Sequence, residues 1–177
     1  PDSLPLGRAY QAHAALASSR TSWDLESTDC VVFGKGGHGG VIHSHPDAGQ
    51  VEIHGRGRRL IVDLGKVNYP PVDDRRPYYH FGSDGHNVVT IGGRDLYWER
   101  SGDRRSHPVA SEFDSARGGW WKIDSTALHD GAQRVERLVV HLFPGYVVVV
   151  DQVELEAVEE VRLRWHTAAT PDVSTDG

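Results

Sequence analysis

The stretch RVERLVVHLFPGYVVVVDQVEL, residues 134–155, constrains this chain more than any other. Two runs dense in β-branched residues flank Pro144-Gly145. Branched side chains lose rotamer freedom in a helix but pack well on a pleated surface, and Pro-Gly punctuates a chain. The stretch predicts two long strands joined by a turn. QVEIH (50–54) alternates, with Val51 and Ile53 on one face and Gln50, Glu52 and His54 on the other. GRG (55–57) turns the chain into RLIVDLG (59–65), a strand closed by glycine. HNVVTIGGRDLYW (86–98) predicts a hairpin around Gly92-Gly93. EEVRLRWHT (159–167) alternates so that Val161, Leu163 and Trp165 face inward.

Helix signals are poor. GRAYQAHAALASS (7–19) is alanine-rich, but its second half reads as strand, because SSRTSW follows without a cap or stop. Short strands separated by turns predict an all-β chain, an antiparallel β-sandwich of layered sheets over residues 1–177. Residues 68–85, NYPPVDDRRPYYHFGSDG, carry three prolines and no clean period, which predicts a long loop.

Composition narrows the function classes. With 38% hydrophobic and 25% charged residues the chain is of the soluble globular type. Its longest apolar run, near YVVVVD, is too short to span a bilayer. Cys30 is the sole cysteine, so no internal disulfide forms, and its CVVF flank reads as a buried strand. A net charge of −6 argues against broad nucleic-acid binding. RGRR (56–59), DDRR (73–76) and DRR (103–105) read as solvated loops, with an anion-binding rim as the second reading; Arg75 and Arg76 are its substrate-binding candidates. The chain starts at Pro1, lacks methionine and stops at STDG, and so reads as a piece of a longer protein.

HGGVIHSHPDAGQ, residues 38–50, concentrates histidine. In HSH, His43 and His45 are two apart and share a face if the segment is strand. Asp63 closes a strand 18 residues after His45, and His86 opens another 23 residues after Asp63. Two strands and a turn can return the chain to ligand reach over those distances. Two or three imidazoles and one carboxylate form a sensible zinc site, whereas thiolate-seeking metals find no cysteine nearby. His38 belongs to a glycine-rich loop, and His13, His107, His129, His141 and His166 read as ordinary core or surface residues. A cupin site is disfavoured: five residues separate Gly37 from His43, but Glu52 follows His45 too late and no Gly-Pro-Gly-His turn occurs.

HSHPDAGQVEIHGRGRRLIVDLG followed by GHNVVTIGG resembles the C-terminal β-sheet domain of the heparinase II/III-like polysaccharide lyases. The pattern is H-x-H-x-D-A-G, an alternating strand, a D-x-G strand end, a loop ending in His-Asn and a hydrophobic strand. Weaker agreement extends it over roughly residues 16 to 165. The resemblance implies a β domain that packs on an N-terminal α/α toroid, absent from this chain, with acidic polysaccharide in the cleft between them. It implies a structural zinc held by His45, Asp63 and His86, with His43 turned into the cleft. A bend at Ser44-His45-Pro46 would separate the two rings that a regular strand would keep together.

The implied reaction is β-elimination on a uronate polysaccharide, a glycosaminoglycan or alginate. It needs neutralisation of the uronate carboxylate, a base for the C5 proton and an acid for the leaving oxygen. His43, with Tyr79 or Tyr78 from the long loop, is the catalytic candidate set. The resemblance implies that this chain alone lacks part of the active site and is inactive. It also favours a periplasmic or secreted protein, with neither membrane nor nucleic acid as a partner. A non-catalytic carbohydrate-binding module, with Trp98, Trp120 or Trp121 stacking on sugar, is the alternative.

Overall fold

A computed structural model of the chain describes residues 4–10, 15–24, 26, 28–37, 44–65, 79–99 and 102–169. The described residues are nearly all strand and turn, with two single-turn 3-10 helices. The antiparallel sandwich that the sequence predicts is what forms. One sheet holds β1 (Gly7–Tyr10), β2 (Leu16–Arg20), β3 (Cys30–Lys35), β4 (Val51–Gly55) and β5 (Arg58–Ile61) in that order. The facing sheet runs β10 (Tyr146–Leu155), β9 (Ala132–Leu142), β8 (Gly118–Asp124), β7 (His107–Asp114). The two β-branched runs pair throughout, from Tyr146 opposite Leu142 to Leu155 opposite Ala132.

The core lies between these sheets. Ala17, Cys30, Val32 and Val51 from one side meet Trp121, Ile123 and Val139 from the other. Gly34 makes room for the indole, since a Cβ there would stand 2.5 Å from Trp121 Nε1. Trp121 is buried, Trp120 half-buried and Trp98 exposed. Burial raises the Cys30 thiol pKa, with the Asp29 charge adding to it, so the cysteine is a core residue and a poor nucleophile. The outer face of the four-stranded sheet is also apolar, with Leu142, Tyr146, Val148 and Val150 exposed, unlike the usual polar solvent face of an antiparallel sheet.

Two local readings are corrected. Gly92 and Gly93 do turn the chain with φ of 60° and 69°, but residues 94–98 form no second hairpin arm. Their backbone is engaged elsewhere: Leu96 N–H donates to Ser83 Oγ, and Tyr97 N–H to the Leu128 carbonyl. The first arm, β6 (Val89–Ile91), pairs instead with β11 (Val161–Leu163). Val161, Leu163 and Trp165 are exposed rather than inward. The alternate residues are the engaged ones, because Arg164 bonds Asp84 and the His166 backbone bonds Asn87. Polar contacts to the loop decide the face of this short pair.

Candidate metal centre

Three segments converge at the end of the sandwich where β3 finishes. His45 lies in the irregular segment that precedes β4, with a bend at Pro46. Lys35 closes β3, and its ammonium grips both oxygens of Asp47, at 2.7 and 2.5 Å. The Lys35 N–H donates to the Gln50 carbonyl, and Gly49 N–H donates back to the Lys35 carbonyl. This fixes the turn that follows His45.

His86 is fully buried after the 3-10 turn Ser83–Gly85. Ser83 stitches that turn to the His45 segment: its hydroxyl donates to the Pro46 carbonyl at 2.8 Å, while its backbone N–H donates to Asp95 Oδ1 at 2.7 Å. Asp63 follows β5. Its Oδ2 lies 2.7 Å from His86 Nδ1, and its Oδ1 accepts the Gly65 N–H at 2.6 Å. The other ring nitrogen, His86 Nε2, lies 3.2 Å from His45 Nδ1.

The structure therefore brings together His45, Asp63 and His86, though Asp63 meets His86 on the nitrogen that faces away from His45. His45, Asp47 and His86 also form a group whose ligand atoms all lie within 4.8 Å of one another. Of the two carboxylates, Asp47 is already neutralised by Lys35 on both oxygens.

The electrostatics suit a cation. Burial, and next the charge of His86, hold His45 below the ordinary imidazole value, so its ring is neutral at neutral pH. Burial pushes the Asp63 carboxyl up, but the hydrogen bond and charge of His86 and the Gly65 amide outweigh it, and the group stays ionised below the usual range. With a carboxylate on Nδ1, a neutral His86 carries its proton there and presents a lone pair at Nε2. Tetrahedral zinc with Zn–N bonds near 2.0–2.1 Å separates two nitrogens by about 3.3 Å, close to the distance found. Two imidazole nitrogens at this separation are donors that zinc accepts.

Other residues fall as follows. His43, Tyr78, Arg75 and Arg76 lie outside the described residues. Tyr79 is described and exposed, its ring edge-on to His166 at 5.9 Å and to His80 at 6.2 Å. Trp98 donates its indole N–H to Ser44 Oγ at 2.9 Å, which places an exposed aromatic beside the H-x-H segment. Sequence reasoning left out Asn87, Gln50, Ser83 and Arg137, all buried around the site. For Arg137 a signal existed, a charge at an inward position of a β-branched strand. A cavity of about 760 Å³ opens at the opposite end, where β3 begins, lined by Cys30, Arg56, Arg58, Leu60 and Pro144 among others, and takes no part in this centre.

Fold and centre together define a β-sandwich with a histidine–carboxylate cluster at one rim. The chain belongs to the heparinase II/III-like family as its C-terminal domain, whose family model matches residues 27–177. Solved structures agree on the fold. Heparan sulfate lyase HepC from Pedobacter heparinus superposes with a TM-score of 0.78 at 18% identity, over 94% of this chain and 24% of that one. A heparinase III, the BT4657 gene product, gives 0.77 at 21% identity, over 97% and 25%. The chain thus spans about a quarter of the length of these structures. No curated protein sequence matches the chain.

Proposed function

We propose that this chain is the metal-holding β domain of a lyase that cleaves uronate-containing polysaccharide by β-elimination. The observation that carries the reading is the convergence of His45, Asp63 and His86 within a heparinase II/III-like domain. Neighbours of this fold include a heparan sulfate lyase and a heparinase III, which favours a glycosaminoglycan over alginate as substrate.

Zinc is the proposed metal, held by the facing nitrogens of His45 and His86, with Asp63 behind His86 on its other ring nitrogen. Bound there, it would cross-link the His45 and His86 segments and leave the chemistry to side chains. His43, two residues before His45, is proposed to neutralise the uronate carboxylate or move the proton at C5. Tyr79 or Tyr78 is proposed as the partner acid or base, and Arg75 and Arg76 as contacts to the polyanion. Residues from a helical domain complete the cleft in this reading.

The test uses the full-length protein on heparan sulfate, heparin and alginate, following the absorbance of unsaturated uronate. Product formation is expected, with His43→Ala abolishing turnover and leaving binding largely intact. Binding without product from the unaltered protein on any of them would favour the carbohydrate-binding module, for which exposed Trp98 beside Ser44 is the supporting observation.

A further inference from the structure

We infer that Arg137 is a positioning residue for the His45–His86 pair, holding the two imidazole-bearing segments at a fixed separation; the inference rests on reading that pair as a metal site. Arg137 lies in β9 between inward-facing Val135 and Val139 and is 4% exposed. A single nitrogen, Nη1, donates to two carbonyls, those of Gly49 and Asn87. Gly49 closes the turn that begins just after His45, and Asn87 follows His86 directly. The rest of the guanidinium is held by Asp151, through Nε at 2.7 Å and Nη2 at 3.0 Å.

Asn87 extends the clamp to the third segment. Its side-chain amide donates to the Val51 carbonyl at 2.9 Å and to the Val62 carbonyl, next to Asp63, at 3.0 Å. Its backbone N–H donates to Gln50 Oε1 at 2.6 Å. The segments of His45, Asp63 and His86 therefore all meet at Asn87, and Arg137 ties Asn87 to the opposite sheet.

The chemistry calls for arginine. Only a planar guanidinium offers enough fixed donors to satisfy a bidentate carboxylate and two carbonyls at once. Stability alone is a weak account of the pair, because apolar residues of similar volume often replace a buried ion pair without loss. What an apolar replacement cannot do is hold the Gly49 and Asn87 carbonyls together.

The experiment compares Arg137→Lys, Arg137→Met and Asp151→Asn with Val139→Ala in this chain. Val139 shares the strand and the core, and its apolar side chain can hydrogen-bond neither segment. Three quantities are measured: zinc affinity by competition with a chromophoric chelator, ¹⁵N shifts of the His45 and His86 rings without metal, and melting temperature. The Arg137 and Asp151 variants are expected to lose about ten-fold or more in zinc affinity and to shift both rings. Val139→Ala is expected to lower the melting temperature and leave the other two unchanged. Wild-type affinity and ring shifts in a folded Arg137→Lys or Asp151→Asn chain overturn the inference. If the unaltered chain binds no zinc, the metal reading fails by itself, and the ring shifts decide the role of Arg137.

Discussion

His86 is engaged from both sides, by Asp63 Oδ2 at 2.7 Å from Nδ1 and by His45 Nδ1 at 3.2 Å from Nε2. The carboxylate fixes the tautomer so that Nε2 presents its lone pair, the usual arrangement behind a metal-binding histidine. Two imidazole nitrogens facing each other gain little unless a proton or a cation lies between them.

Asp63→Asn is expected to weaken zinc binding by about 10–100-fold. Asp47→Asn should weaken it much less, since Lys35 already occupies both Asp47 oxygens. Zinc at a hundred-fold excess over its Kd should add about 2.7 kcal/mol to stability, roughly 5–10 °C in Tm for a chain of this size. Chelator titration and calorimetry check both; an unchanged Tm after exhaustive metal removal sinks the structural role.

Acid should destabilise the fold well before the carboxylates titrate. Burial pushes His141 down to about 4, and burial with the charge of Arg137 does the same to His129. Both folded values lie below the free imidazole value near 6.5, so the unfolded chain takes up protons first as pH falls. Their stability is fully present above about 6.5 and is lost progressively toward pH 4. Each histidine is expected to cost about 2 kcal/mol between pH 7 and pH 5. Urea unfolding across that range measures it, and His141→Gln should flatten the dependence by its share. A flat profile in the unaltered chain contradicts the assignment.

Gly85→Ala should disturb the centre without touching a ligand. A Cβ there would stand 2.3 Å from the Tyr79 carbonyl oxygen and 2.9 Å from His80 Cα, both backbone atoms that cannot swing aside. The Ser83–Gly85 turn that presents His86 must then shift. The expected loss is about 1–3 kcal/mol with weaker zinc binding. Gly57→Ala, where a Cβ meets nothing within 4 Å, is the comparison; its strain comes only from φ of +72° and should leave zinc affinity unchanged. Equal zinc affinities for the two variants would refute the link between turn and centre.

Much of the fold was legible because strand periodicity is local. The runs on either side of Pro144-Gly145 carry their pairing in their composition, and Val51 and Ile53 announce their face by alternation. The same logic failed at Val161, Leu163 and Trp165, where alternation was present but its inward phase was set by Asp84 and Asn87, some 80 residues away. It failed again after Gly93, because Leu96 and Tyr97 find acceptors outside any hairpin.

The sequence by itself determined that this chain is layered antiparallel sheet, that Cys30 is a core residue, and that an H-x-H, an aspartate at a strand end and a His-Asn pair follow one another along it. Only the tertiary structure decided that Asp63 stands on the outer nitrogen of His86, that Lys35 neutralises Asp47, and that Arg137 reaches Gly49 and Asn87 across 88 and 50 residues. The physical reason is range. A side chain's preference for strand and for burial is set within a few residues, whereas the partner of a buried polar atom is chosen by whichever distant donor or acceptor the packed sheets bring within hydrogen-bond reach.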